Sequence, residues 1–245
     1  MPSKLLAVGT YNISVEAVKH DPHGVKEVMS IFFSNNDYGV LGLNEAAQAN
    51  WLEDWAYHNG LGYYGGKEES ASATPLLYHL PSPILRAKSR ILTDHTKVGE
   101  KPAGPTVTKR KHLNEIKFIF NGRACHVGCK HNSPSIWWPP NRKLIKMQDE
   151  KAAAFMAEYD GLKWCVGDNN HRPNHPFMRP FERIAMRSTQ MMFDGPISTR
   201  KNKSIDDVRG VYDYTRSLLV KKGIIETPGD HDLYYTVSQI NLGRN

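Results

Sequence analysis

Asp168 and Asn170 stand two residues apart, directly after the apolar run Trp164-Cys165-Val166 and the glycine Gly167. In an extended chain such residues point the same way, so a buried strand would deliver a carboxylate and an amide together, and the glycine would let a backbone or ligand come close. In isolation an Asx turn explains the same pair. Other apolar runs end on polar groups in the same manner: Asn12 follows Leu5 to Tyr11, Asn44-Glu45 follows Tyr38 to Leu43, and His126 and the late Asp230-His231 stand at similar points. Carboxylates and amides offer the oxygen ligands that Mg²⁺, a hard cation, prefers. Histidines add proton transfer and phosphate contact near neutral pH. This inventory could build a metal-dependent phosphoesterase. The Cys125-His126, Cys129 and His131 cluster lacks the full ligand set of a zinc finger.

These residues need strands to carry them. Leu5 to Ile13 and Tyr38 to Leu43 read as central strands, each followed by a helix. The first helix opens at Asp21-Pro22 and carries Val25, Val28, Met29 and Phe32 on one face; the second runs from Ala46 to about His58. Short runs at 61–64, 74–79, 84–92, 115–121 and 123–127 read as antiparallel strands. Between them, Asp94 to Asn114 reads as a basic loop or a long hairpin. Prolines exclude a helix from Ser133 to Pro140, whereas Arg142 to Tyr159 can form one. Helix is expected again from Phe181 to Met192, and strand at Ser204 to Val211 and Tyr234 to Ile240.

The chain has 245 residues, 40% hydrophobic and 23% charged, which suits one α/β domain spanning 1–245. No apolar run reaches the roughly 20 residues needed to span a bilayer, and no signal peptide is read at the N-terminus; a cytoplasmic monomer without membrane contact is the expectation. Three cysteines argue against a disulfide framework. A formal charge of +7 favours a polyanionic partner.

The order of these segments resembles the endonuclease/exonuclease/phosphatase superfamily, which includes pancreatic deoxyribonuclease and the exonuclease III type of abasic-site enzyme. Thr10-Tyr11-Asn12-Ile13 looks like its opening strand, and Val40-Leu41-Gly42-Leu43-Asn44-Glu45 like its second motif, normally ending Gln-Glu. Cys125-His126-Val127 occupies the place of a His-Leu strand end, and Val166-Gly167-Asp168-Asn169-Asn170 matches Gly-Asp-x-Asn. Ser204-Ile205-Asp206-Asp207-Val208 resembles a later Ile-Asp-x-Ile strand, and Gly229-Asp230-His231 the terminal Ser-Asp-His.

The resemblance implies a four-layer α/β sandwich, two packed mixed β-sheets flanked by helices. It implies that Glu45 holds Mg²⁺, with Mn²⁺ as a substitute, and that Asn12 and Asp230 complete or orient its shell. Asp168 would activate water and Asn170 would hydrogen-bond the water or a phosphate oxygen. His231, oriented by Asp206, would stabilise developing charge, with His126 as a second phosphate contact or acid and Tyr78 as a lesser catalytic candidate. The expected activity is nuclease hydrolysis of DNA; the alternatives are a phosphatase or phosphodiesterase on a small or lipid phosphate, of inositol-phosphate or sphingomyelinase type, and a non-cutting nucleic-acid-binding relative. Lys109, Arg110 and Lys111 are expected to contact the DNA backbone, and Trp137 and Trp138 to stack on bases. Asn44 and Asn169 depart from the family pattern, as does Gly229.

Overall fold

The structure, a computed structural model, describes the chain except residues 1–2, 67, 69–71, 95, 102–103, 109, 134–138, 193–198, 200–205, 214, 228–229 and 244–245; for 96–101, 104–108 and 139–141 it describes the backbone alone. Lys109, Trp137 and Trp138 therefore lie outside the described residues, as does Gly229.

The chain opens with β1 (Ser3–Asn12), α1 (Val15–His20), α2 (Pro22–Ser34), β2 (Gly39–Asn44), α3 (Leu52–His58), β3 (Gly62–Tyr64) and β4 (Leu76–His79). It continues through β5 (Ile84–Thr93), β6 (Thr96–Lys101), β7 (Gly104–Thr108), β8 (Lys111–Phe120), β9 (Arg123–Lys130), α4 (Pro139–Ala157) and β10 (Leu162–Asp168). The last elements are α5 (Arg179–Arg183), β11 (Met186–Ser188), β12 (Asp206–Val211), β13 (Ser217–Ile225) and β14 (Leu233–Asn241). One six-stranded sheet has the order β13-β14-β1-β2-β4-β3, and the other β11-β12-β10-β9-β8-β5. Both are mixed: β1 runs parallel to β2 and β9 to β10, while the other pairings within the two sheets are antiparallel.

Alternation along each strand divides the core into layers. Leu6 and Val8 of β1, Val127 and Cys129 of β9, and Trp164 and Val166 of β10 share the apolar cluster between the sheets. Residues of the opposite parity on the first sheet, Ala7, Tyr11 and Leu43 among them, pack against α1, α2 and α3. On the second sheet, Cys165 and Leu113 pack against α4 and α5. The arrangement is the expected helix–sheet–sheet–helix sandwich. No helix among the described residues is long and apolar enough to cross a membrane.

Local chemistry accounts for the boundaries. The Asp21 side chain caps α2 by accepting from the Gly24 N–H at 2.9 Å, with Pro22 in the first turn, where its missing N–H costs nothing. Several elements differ from expectation. The helix anticipated at 181–192 stops at Arg183; Ala185 adopts φ 59°, and the chain turns into β11, whose ladder with β12 replaces further helical turns. The stretch 46–58 divides into a 3₁₀ turn at Ala46–Gln48 and α3. Asp94 to Asn114 is a hairpin, β6 with β7, running into β8. The helix α1 and the edge strand β13 were not anticipated. In β13 an irregularity between Leu219 and Lys221 breaks the period of two that would have marked it.

Candidate active site

Parallel pairing of β1 with β2, and of β9 with β10, brings four carboxyl ends to one edge of the sandwich, where the amino end of β12 and the segment preceding β14 join them. Parity then selects the side chains. Asn12, Asn44, Asp168 and Asp206 have the parity of Val8, Val40, Val166 and Val208, which face the opposite sheet, so they converge between the layers.

The convergence is close. Asn12 Nδ2 donates to Glu45 Oε1 at 3.1 Å and to Asp168 Oδ2 at 3.2 Å, joining the two carboxylates. His231 Nδ1 lies 2.8 Å from Asp206 Oδ2. Ligand atoms of Asp168, Asp206 and His231 all fall within 4.8 Å of one another, and all three residues are buried. Of the adjacent acids, Asp207 points away and accepts from Ser188 Oγ at 2.7 Å. Asp230 is close enough to His231 for its charge to bear on the ring.

Two site residues sit in the left-handed backbone region, Glu45 at φ 60° and Asn170 at φ 54°. Asparagine tolerates that region; for glutamate it is a local strain of roughly 1 kcal/mol or more, of the kind that accumulates where a side chain must be aimed. Gly167, at φ 140°, has no such freedom to change. A Cβ there would lie 1.8 Å from the Lys130 carbonyl oxygen, so the close approach anticipated for this glycine is that of the neighbouring strand β9.

Electrostatics divide the titratable groups. Burial, followed by the like charge of Asp206, raises Asp168 from 3.8 to about 6, against the opposing pull of His231, the Asn170 N–H and Asn12. For His231 burial favours the neutral ring, but the hydrogen bond and charge of Asp206, helped by Asp168 and Asp230, prevail and raise its pKa. An acid made reluctant to ionise thus stands beside an imidazole made ready to carry a proton.

Other candidates fall elsewhere. His126 belongs to the parity facing α4; it meets Glu115 at 3.3 Å and stacks on Tyr159 with ring centroids 3.7 Å apart. Along β9, His126 and His131 are separated by roughly 16 Å. His131 is the histidine at the strand end, with Nε2 3.9 Å from Glu45 Oε1. Burial first, then the charges of Lys111, His231 and Lys130, hold its pKa well below the ordinary histidine value. The sequence did offer His131 as part of a Cys/His cluster, but only parity along β9 separates the two histidines. Tyr78 is paired with Val40, roughly 13 Å along β2 from Asn44, and its ring covers Gly62. Neither His126 nor Tyr78 reaches the cluster.

Lys111 lies near enough to influence His131, whereas Arg110 is bound by carboxylates, Glu68 at 2.7 Å and Asp94 at 2.9 Å. Asn44, the departure from a usual glutamine, is a clamp between sheets: its Oδ1 accepts from Asp168 N at 2.8 Å and its Nδ2 donates to Lys130 O at 3.0 Å.

Comparison with solved structures matches the fold over nearly the whole chain. An endonuclease/exonuclease/phosphatase protein from Bacteroides vulgatus aligns with TM-score 0.74 at 12% identity, covering 98% of this chain and 100% of its own. The chain has the endonuclease/exonuclease/phosphatase fold. The human Nocturnin catalytic domain, solved with a bound sulfate anion, shares that fold with TM-score 0.72 at 11% identity, over 97% of this chain and 94% of its own. A mannosyl-6-phosphatase from Bacteroides thetaiotaomicron shares it with TM-score 0.69 at 12% identity, over 96% and 100%. No family model matches the sequence, and no curated protein does. The edge where the strand ends meet holds Glu45, Asp168, Asp206 and His231.

Proposed function

We propose that the chain, as one domain, is a metal-dependent phosphoesterase, and more narrowly a nuclease that hydrolyses DNA by direct attack of water on the phosphate, without a covalent intermediate. The observation that carries this reading is the buried meeting of Asp168, Asp206 and His231 within 4.8 Å, tied through Asn12 to Glu45.

The donor set suits a divalent cation. Glu45 and Asp168 present carboxylate oxygens joined by one amide, a hard and anionic pair that favours Mg²⁺, with Mn²⁺ as a substitute. His231 is a poorer ligand although it clusters with two acids, because the environment that raises its pKa favours the protonated ring. Glu45 would hold the ion, with Asn12 fixing the direction of its carboxylate and Asp230 nearby. Bound there, Mg²⁺ would supply neutralisation of charge on the scissile phosphate.

The chain's own groups divide the remaining work. Asp168, with a pKa near 6, can take a proton from water at neutral pH and is placed to orient it. Asn170 directs its backbone N–H to Asp168 Oδ1 at 2.7 Å and so fixes that carboxylate. His231, with Nδ1 held by Asp206, would offer Nε2 to a phosphate oxygen as charge develops. Neutral His131 beside Glu45 takes the second-histidine role expected of His126.

The net charge of +7 supports a polyanionic substrate. A second reading, a phosphatase of small phosphate esters, is favoured by the neutralisation of Arg110 by Glu68 and Asp94, which removes one expected backbone contact. A mannosyl-6-phosphatase also has this fold. Incubation with plasmid and single-stranded DNA, and separately with mannose 6-phosphate, each with and without Mg²⁺ and beside Glu45→Ala, distinguishes them. Metal-dependent DNA cleavage lost in the variant is expected. Hydrolysis of the sugar phosphate alone would replace the nuclease reading with the second, and hydrolysis of neither would remove both.

A further inference from the structure

Behind Asp168, on the α4 side of the second sheet, lies a set of charges unusual for a core. Lys130, the last residue of β9, has the parity that turns it away from the facing sheet and is 1% exposed. Its Nζ meets three acceptors, one for each N–H: Asn132 Oδ1 at 3.0 Å, Asp149 Oδ1 at 2.8 Å and Asn169 Oδ1 at 2.6 Å. Asp149, on α4, is fully buried; its Oδ2 lies 2.9 Å from His171 Nε2, while His171 Nδ1 faces the Arg172 carbonyl at 3.1 Å. The Phe181 ring centroid lies 6.0 Å from Lys130 Nζ. Burial works against the Asp149 carboxylate, yet the Lys130 charge and the His171 contact outweigh it and hold that carboxyl below its ordinary range.

A buried ion pair is a poor source of stability, because desolvation consumes most of what the attraction returns and apolar side chains of similar size often do as well. Its connections suggest another role. Asn132, gripped by Lys130 and by Asp149 through its own Nδ2 at 3.0 Å, also donates that Nδ2 to Asn169 O at 3.0 Å and its backbone N–H to Asp168 O at 3.0 Å. Asn170 Nδ2 in turn donates to Asn132 O at 3.0 Å. Both ends of the Asp168–Asn170 segment thus hang on the backbone N–H and carbonyl of Asn132, while the side-chain amide that the ion pair grips holds the Asn169 carbonyl between them.

We propose that Lys130, Asp149 and His171 are positioning residues, a buried charged brace that fixes Asn132 and through it the place of Asp168 and Asn170. The departure at Asn169, where the pattern this sequence resembles commonly has an aromatic or apolar residue, belongs to the same device, since its side chain supplies one of the acceptors of Lys130. The functional part of this inference rests on Asp168–Asn170 being the active segment; the structural part does not.

The test is the double variant Lys130→Met with Asp149→Leu, which removes both charges and leaves neither uncompensated. Four quantities are read: the urea midpoint, amide hydrogen exchange across 168–171, and kcat and KM for bis(p-nitrophenyl) phosphate with Mg²⁺. The expected result is a cooperative urea transition with a modestly lowered midpoint, since Asn132 Oδ1, Asn169 Oδ1 and His171 Nε2 lose a partner, exchange faster by about tenfold or more, and kcat lower on the order of 10- to 100-fold with KM little changed. A folded double variant with unaltered exchange and kcat would overturn the proposal. Should the double variant fail to fold, His171→Phe should speed the same exchange and His171→Gln, which keeps a donor for Asp149, should restore it; equal exchange in both overturns the brace. If the natural chain cleaves no phosphoester at all, the active-site reading falls and the exchange rates alone decide the brace.

Discussion

Replacing Asp168 with asparagine should stabilise the fold at neutral pH and abolish its chemistry. The carboxyl is buried, and its pKa rises from 3.8 to about 6 on folding. Stability changes with pH according to the difference in protons bound by the unfolded and folded states. Between pH 3.8 and 6 the folded state binds more, so stability falls as pH rises through that window. Below it the group is protonated in both states and contributes no difference. Above it the full penalty is present: a shift of about 2 units at 1.36 kcal/mol each, or roughly 3 kcal/mol. Asparagine escapes that penalty. It also loses something, because its NH₂ would meet the Asn12 Nδ2 that now donates to Asp168 Oδ2, and His231 loses a supporting charge. A net gain of about 1–2 kcal/mol at pH 8 is the expectation. The hydrogen-bond loss is nearly independent of pH, so the decisive quantity is the change in the stability difference between pH 8 and pH 4. Urea unfolding of both metal-free proteins at the two pH values measures it. The advantage of Asp168→Asn should be greatest at pH 8 and shrink or reverse at pH 4; a difference that is flat with pH, or that grows toward acid, would refute the reasoning.

Two further substitutions probe neighbouring links. Asp206→Asn removes the largest influence raising His231, so the imidazole resonance of His231 in the metal-free protein should titrate at lower pH, and kcat should drop roughly 30- to 150-fold, the loss of one charge-assisted hydrogen bond of about 2–3 kcal/mol; an unmoved resonance would exclude the pairing. In stability terms, a raised folded pKa makes the His231 contribution complete below the unfolded value of 6.5 and lost as pH climbs through the folded one, so Asp206→Asn should cost more at pH 5 than at pH 9. Gly167→Ala places a Cβ 1.8 Å from Lys130 O at a φ of 140°, forcing β9 and β10 apart and loosening the Asn44 bond to that carbonyl. A loss of about 3 kcal/mol or more in urea unfolding is expected, and a midpoint equal to that of glycine would contradict the close approach.

Much of this was legible because strand ends declare themselves. An apolar run stopping at a polar residue marks both the element and what it delivers, and this pattern located Asn12, Glu45 and Asp168. The adjacent acids Asp206 and Asp207 were separable by register alone, since a period of two sends them to opposite faces. His126 misled because its local setting, Cys125-His126-Val127, looks like a strand end, whereas β9 continues to Lys130. Only the extent of the ladder with β8 and β10 shows where that strand stops, and ladder extent is a property of partners. β13 was hidden for the related reason that an irregularity at an edge cancels alternation. The basic cluster at 109–111 carried a charge signal that could not reveal Glu68, more than forty residues away, as the partner of Arg110.

The two polar departures from the family pattern bear on how the site is held. Asn44 and Asn169 replace residues that could have contributed length or apolar packing, and in this fold each becomes a connector. Asn44 joins the first sheet to both β9 and β10 through Lys130 O and Asp168 N, while Asn169 receives the buried Lys130. Each amide exposes its partners to a penalty if removed, since a buried donor or acceptor left without a partner costs about 1–3 kcal/mol. Their loss would therefore be felt in the position of Asp168 before it was felt in the global fold, because the strands themselves are held by ladders that neither amide enters. Rigidity at the site is supplied here by polar groups satisfied across the gap between layers. That arrangement keeps the Asp168 carboxyl and the His231 imidazole, both with raised pKa values, in fixed relation to one another.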